Sequence, residues 1–250
     1  MLCSSPPLFM KTSALFTAVA ALTLSVSVYA SSITLGAPGN GNNIAPFGGD
    51  VNATFGPGTR YQQAYASSDF AGLGPIWITS IDFLGGYTGG NIAADTYTFS
   101  FSTITAGIDT LSDSNFDSNL GANNALFVTV NLSGPAPATL TITGSSPFLY
   151  DPSQGNLLLD IVISPGGQNQ PGPSPTGYEE LSGTSLFSRY YNSGLGTTGF
   201  GLVTEFDYTS TPEPTTFALV AAGIVFLWRR RFRLRTPTAS STGNPQHPAS

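Results

Sequence analysis

The chain has 250 residues, with 14 acidic and 8 basic side chains, one histidine and one cysteine. With only His247 and Cys3 available, and those near opposite ends, a histidine-based catalytic triad and a histidine- or cysteine-rich zinc site are excluded. The acidic balance argues against nucleic acid as a partner, because phosphates need cationic neutralisation.

Lys11, the sole lysine, precedes an apolar stretch from Ala14 to Val28 that ends in Val28-Tyr29-Ala30. A charge, an apolar run and small residues at the −3 and −1 positions have the layout of a secretory signal peptide. Residues 1–30 are therefore expected to be a signal helix, removed by signal peptidase after Ala30. The segment before Met10 lacks a basic region and contains Pro6-Pro7, which fits Met10 as the initiator better than Met1. Cleavage would take Cys3 with it. The exported chain would then form no disulfide, and its stability would have to come from burial and hydrogen bonding.

Residues 31–210 are long enough for one domain with its own core. From Ser31 to Thr211 the only basic residues are Arg60 and Arg189, against thirteen acidic ones. The periodicity is that of strands. Ile76 to Leu84 alternates after a Gly-Pro entry, with Ile76, Ile78 and Ser80 expected on one face and Trp77, Thr79 and Ile81 on the other. Thr96 to Ser102 alternates most cleanly, with Tyr97, Phe99 and Phe101 on one face. Ala125–Leu132, Thr139–Thr143, Leu157–Ile163, Phe187–Tyr191 and Gly201–Tyr208 are further candidates, rich in β-branched or aromatic residues and bounded by Gly, Pro, Asn or Asp. No sustained 3.6-residue stripe lies between the two ends. The fold class predicted is all-β, an antiparallel β-sandwich or jelly roll. Leu157 to Ile163 is almost continuously apolar and reads as a central strand covered on both faces, which obliges Asp160 to find a hydrogen-bond partner or an edge position. Pro165 to Gly177, rich in Pro and Gly, reads as a long surface loop.

Three kinds of chemistry remain open to the body. Glycoside hydrolysis needs only two placed carboxylates, for which Glu179, Glu180, Glu205 and Asp207 lie near aromatic residues; adjacent Glu179 and Glu180 on a strand would point to opposite faces. Asp113-x-Asn115-x-Asp117 begins like a calcium loop, but Ser118 stands where glycine is needed and Asn124 where the bidentate glutamate belongs. Asp113, Asn115 and Asp117 are thus a calcium candidate set against an ordinary solvated turn, and no other cofactor is expected. Tyr61, Tyr65, Trp77, Tyr87, Tyr190 and Tyr191 could form an aromatic platform for sugars or could be core packing. No catalytic residue is assigned.

At the C-terminal end, Pro212-Glu213-Pro214 is followed by an apolar run from Thr215 to Trp228 and by Arg229, Arg230, Arg231, Arg233 and Arg235. As a helix the run covers about 21 Å against a hydrocarbon core of about 30 Å. Arginine snorkelling and Trp228 at the interface make it a marginal single transmembrane helix, with the arginines on the cytoplasmic side. The tripartite order resembles the PEP-CTERM sorting signal, here spanning 211–235. That resemblance implies recognition by an exosortase, a membrane-embedded protease-transpeptidase, in a Gram-negative bacterium that makes extracellular polysaccharide. It also implies a cell-surface or biofilm-matrix destination by way of an inner-membrane intermediate. The tail 236–250, rich in Pro, Ser and Thr, departs from the family pattern and has the composition of a disordered segment.

Two stretches of the body, Arg60-Tyr61-Gln62-Gln63-Ala64-Tyr65 with Phe70, Gly74-Pro75-Ile76 and Ile81, and Tyr150-Asp151-Pro152-Ser153 with Gly155 to Asp160, resemble a pattern of exported β-sandwich proteins bearing this signal. That second resemblance implies a shared fold and no activity. The expected function is a structural or adhesive matrix protein without catalytic machinery. The alternative is a carbohydrate-binding module or weak glycan-active enzyme on a jelly roll.

Overall fold

The computed structural model describes residues 30–37, 46–47, 60–85, 91–164, 180–182, 186–191, 195–197, 199–211 and 223–227. The alternating segments form strands, twelve among the described residues: β1 (Ala30–Leu35), β2 (Arg60–Tyr65), β3 (Ile76–Leu84), β4 (Asn91–Ile104), β5 (Ala125–Pro135), β6 (Thr139–Tyr150), β7 (Asn156–Ser164), β8 (Glu180–Ser182), β9 (Phe187–Tyr191), β10 (Leu195–Thr197), β11 (Phe200–Leu202) and β12 (Thr204–Ser210). They make two open antiparallel sheets, one in the order β1-β12-β3-β6 and one in the order β10-β9-β2-β7-β4-β5, with β11 and β8 paired separately. Setting aside β8 to β11, the chain changes sheet at every connection except that from β4 to β5. Val28–Thr211 forms one compact unit.

The predicted strands Ile76–Leu84 and Phe187–Tyr191 occur with those bounds, four others lie within longer strands, and Gly201–Tyr208 divides at the buried Val203 into β11 and β12. The N-terminal signal segment up to Tyr29, the Pro165–Gly177 loop and the tail 236–250 lie outside the described residues. Residues 223–227 are helical and exposed, and among the described residues no helix is long and apolar enough to cross a membrane. The rest of the run from Thr215 to Trp228 also lies outside the described residues.

Between the sheets the core is largely aromatic. Along the four-stranded sheet the register brings Tyr208, Ile78 and Phe148 into one inward row, Phe206, Ile81 and Ile142 into the next, and Leu35, Phe83 and Leu140 into a third. The six-stranded sheet answers with Tyr61 and Tyr65 of β2, Tyr97, Phe99 and Phe101 of β4, and Leu157, Leu159, Ile161 and Ile163 of β7. Phe206 lies at the crossing point, its ring 5.0 Å from Tyr65, 5.7 Å from Phe70 and 6.3 Å from Phe101.

One predicted facing is overturned. Ile81 was expected beside Trp77 and Thr79, yet it is buried with Ile76 and Ile78. The register of β3 shifts between Ile78 and Ser80, so Thr79 is an extra residue and the alternation inverts after it. A bulge of this kind adds one residue to one strand and flips the face of everything beyond.

β2 is buried from Tyr61 to Tyr65 although its sequence is polar. Its inward Gln63 replaces a strand neighbour: the side chain donates to the Leu202 carbonyl at 2.9 Å and accepts from the Leu202 amide at 2.8 Å and the Tyr61 hydroxyl at 2.5 Å. On the outward side, the connection from β4 to β5 folds over the sheet. Its Ile108 and Leu111 pack on Ala64, Leu158 and Tyr190, with Phe116 and Leu120 alongside. The Asp160 carboxylate sits beneath this cover and finds the partner that its position demanded. Arg60 grips it with two bonds, Nε to Oδ1 at 2.7 Å and Nη2 to Oδ2 at 3.0 Å, and Gln62 donates to the same Oδ1 at 3.0 Å. Asn119 donates to Gln62 Oε1 at 2.8 Å, tying the covering segment to the sheet.

Removing one partner from a buried ion pair leaves an uncompensated charge, at a cost of roughly 3–5 kcal/mol. Because Arg60 keeps one end in solvent, Arg60→Met is expected to cost the lower end, about 3 kcal/mol, read as a reduced midpoint in urea denaturation of the full chain.

Candidate functional site

The two sheets differ in what covers their outer faces. The six-stranded sheet is roofed by the β4–β5 connection over β2, β7 and β9, leaving Leu126, Thr129 and Asn131 of β5 exposed, whereas the outer face of the four-stranded sheet exposes Ser32, Thr34, Trp77, Thr141, Thr143 and Leu149 around a buried Ser80 and half-buried acids. Its composition follows from the register. Reading from β1 to β6, the outward rows are Ala30, Thr209, Trp77 and Leu149; then Ser32, Asp207, Ser80 and Thr143; then Thr34, Glu205, Asp82 and Thr141. Strand neighbours in such a grid lie about 4.8 Å apart and successive outward residues of a regular strand about 6.8 Å apart. The gap between the first two rows is wider, because Thr79 on β3 and residues 144–147 on β6 are inserted there. The bulge at Thr79 is what brings Trp77 and Asp82 to the same surface, since uninterrupted alternation from Trp77 would have turned Asp82 inward.

Trp77 is 40% exposed and its register partner Leu149 is 43% exposed, both far above the ordinary exposure of large apolar side chains in this body. Beside them the face carries three carboxylates and no basic residue in the three rows. Asp207 accepts from the Ser80 hydroxyl at 2.6 Å. Glu205 and Asp82 stand directly opposite each other on β12 and β3, and Asp82 Oδ1 is buried with no hydrogen-bond partner. Like charges opposed across a ladder are destabilising. Replacing Glu205 by Gln is therefore expected to raise stability by roughly 0.2–1 kcal/mol, measured as a higher thermal midpoint at pH 7 and low salt.

The other sequence candidates are distributed differently. Glu205 and Asp207 share the open face. Glu180 begins β8, and Glu179 lies outside the described residues. In the calcium candidate set, Asp117 binds Arg60 at 2.6 Å and Asn115 caps the 3-10 turn Phe116–Asn119, its side chain accepting from the Ser118 amide. The Asp117 carboxylate is thus engaged by β2 and the Asn115 amide within its own turn, and among the described residues no three His, Cys, Asp or Glu side chains are gathered in one cluster. Of the aromatic candidates, Tyr61, Tyr65 and Tyr190 are buried in the two cores and Trp77 is exposed, while Tyr87 and the side chain of Tyr191 lie outside what the structure describes.

Among the described carboxylates, Asp69 has a displaced titration. Asp69, in the 3-10 turn Ser67–Phe70, is pushed up to about 6 by burial, which hydrogen bonds from Ala66 and Ser68 only partly offset. Between the unfolded value of about 4 and about 6, the folded state holds a proton that the unfolded state has lost. Stability must therefore fall as pH rises through this window and level off above it. Asp69→Asn is expected to abolish that fall, visible as convergence of the two thermal midpoints near pH 4 and a higher midpoint for the variant at pH 7.

At the two ends of the body the sequence signals meet the sheet. Ala30, the predicted last residue of the signal segment, opens β1 opposite Thr209, so a cut after it leaves Ser31–Leu35 on the sheet edge. At the other end, Thr211 closes the folded part, its amide and hydroxyl both donating to the Pro75 carbonyl, at 3.1 and 2.8 Å. Pro212, Glu213 and Pro214 follow at once and, with Arg229, Arg230 and Arg231, lie outside the described residues.

Residues 210–231 match the family described as the PEP-CTERM protein-sorting motif. The chain therefore carries this sorting motif, which implies an extracellular protein sorted by an exosortase and exported toward the cell surface. No curated protein matches the chain in sequence.

Proposed function

We propose that, with the PEP-CTERM motif as its address, this protein is a non-enzymatic structural or adhesive component of the cell surface or biofilm matrix of a Gram-negative bacterium. The observation that carries the reading is the motif match at residues 210–231. In this reading signal peptidase releases the N-terminus after Ala30. The apolar run and the arginines hold a transient inner-membrane intermediate, and the exosortase acts near Pro212-Glu213-Pro214. The body is suited to such a cut, because β12 and the Thr211 bonds to Pro75 are complete before Pro212.

The scaffold reading is supported by strand order. With β8 to β11 treated as an insertion, β1-β12-β3-β6 facing β2-β7-β4-β5 is the winding of an eight-stranded jelly roll, an architecture that also carries lectin domains. Function in such a scaffold resides on an exposed face and in loops rather than in the packed interior. No cofactor is assigned. A second reading, a carbohydrate-binding module, is favoured by the exposed Trp77 on a sheet face rich in hydroxyl and carboxylate groups.

The sorting reading is tested with Glu213→Ala in the full chain, expressed in a host that has an exosortase. The variant is expected to be exported and to keep its C-terminal segment. A mature mass equal to that of the processed wild type shows that the motif is not what the enzyme reads.

A further inference from the structure

We infer that the open face of the four-stranded sheet binds a cationic amino-sugar polymer, a chain of hexosamine units with free amines. The inference deepens the surface- and matrix-protein reading by naming the polymer, and it does not depend on exosortase processing. Three observations identify the occupant. The first is charge: Asp82, Glu205 and Asp207 occupy two adjoining rows with no basic residue in the grid, and they belong to a body with only Arg60 and Arg189 against thirteen acids. Such a surface repels polyuronates and other anionic polymers and attracts a polycation.

The second is the arrangement of the carboxylates. Glu205 and Asp82 stand directly opposite each other, a like-charge pairing that is unfavourable for the fold and that a positive partner would relieve. Asp207, fixed by the Ser80 hydroxyl, adds an acceptor one row away. The third is Trp77, whose exposed indole supplies an apolar face for a sugar ring and the strongest aromatic site for a nearby ammonium. The hydroxyls of Ser32, Thr34, Thr141 and Thr143 border the carboxylates and can exchange hydrogen bonds with a polyhydroxylated chain. A protein partner would call for a broader apolar centre than Trp77 and Leu149 provide.

The test uses the full chain with four probes at low salt: a deacetylated glucosamine oligomer, its N-acetylated counterpart, a polyuronate and an oligolysine of matched charge. The expected order is deacetylated oligomer tightest, N-acetylated oligomer weaker and polyuronate not bound, with affinity for the first falling as salt rises. Trp77→Ala is expected to weaken the deacetylated oligomer about tenfold. Glu205→Gln should shrink the preference over the N-acetylated form while raising the thermal midpoint, so that lost binding is not lost folding. Asp113→Asn, off the face, should change neither. The proposal is overturned if oligolysine binds as well as the sugar, if Asp113→Asn weakens binding as much as Glu205→Gln, if Trp77→Ala has no effect, or if no probe binds. None of these outcomes alters the Glu213→Ala result, so the binding site and the sorting route stand or fall separately.

Discussion

The grip of Arg60 on Asp160 is the interaction on which the division of labour between the two sheets rests. β7 is apolar almost throughout and sits between β2 and β4, so both of its faces must be dry. Asp160 on the outward face can be buried only because a guanidinium from the neighbouring strand meets it with two hydrogen bonds and Gln62 with a third. The same guanidinium reaches Asp117 and lies over the Phe116 ring at 5.9 Å, so one side chain anchors both the sheet and its roof. A charge buried without such partners would be costly enough to exclude the roof altogether.

β2 and β7 are enclosed on both faces over most of their length, and no strand of the four-stranded sheet is. The four-stranded sheet keeps its inward rows for the aromatic core and turns its outward rows to solvent, the usual arrangement for an antiparallel sheet in a sandwich. Here the bulge at Thr79 has a double effect. It returns Ile81 and Phe83 to the core after Ile76 and Ile78, and it sets Asp82 on the outside with Trp77. A single extra residue therefore determines both the packing against Phe206 and Phe99 and the chemistry of the open face.

Legibility in the sequence followed the strength of the alternation. Tyr97, Phe99 and Phe101 announced the buried face of β4, and the unbroken apolar run of β7 announced a central strand with a problem at Asp160; both readings hold. β2 was recognised only as part of a family-like pattern. Arg60-Tyr-Gln-Gln-Ala-Tyr has no apolar period, and its glutamines are buried because each finds partners distant in sequence, Leu202 and Asn119. The sorting motif was fully legible, since it is a local string of residues. The open face was not, because Trp77, Glu205, Asp82 and Leu149 come to one face only through strand register and a bulge. The calcium-like spacing was legible as either a cation loop or an ordinary turn, and the structure places Asp117 against Arg60 and Asn115 on the cap of a 3-10 turn.

β12 has a further property that follows from its place in the sheet. It is bonded along both edges, to β1 and to β3, and its last residues are fastened to Pro75, after which the sorting motif begins. Ladder bonds in an antiparallel pair run across the strands, so a pull along the axis of β12 loads both rows together in shear instead of opening them one at a time. Any tension applied at this terminus along the strand would be resisted by the bonds to β1 and β3 at the same time.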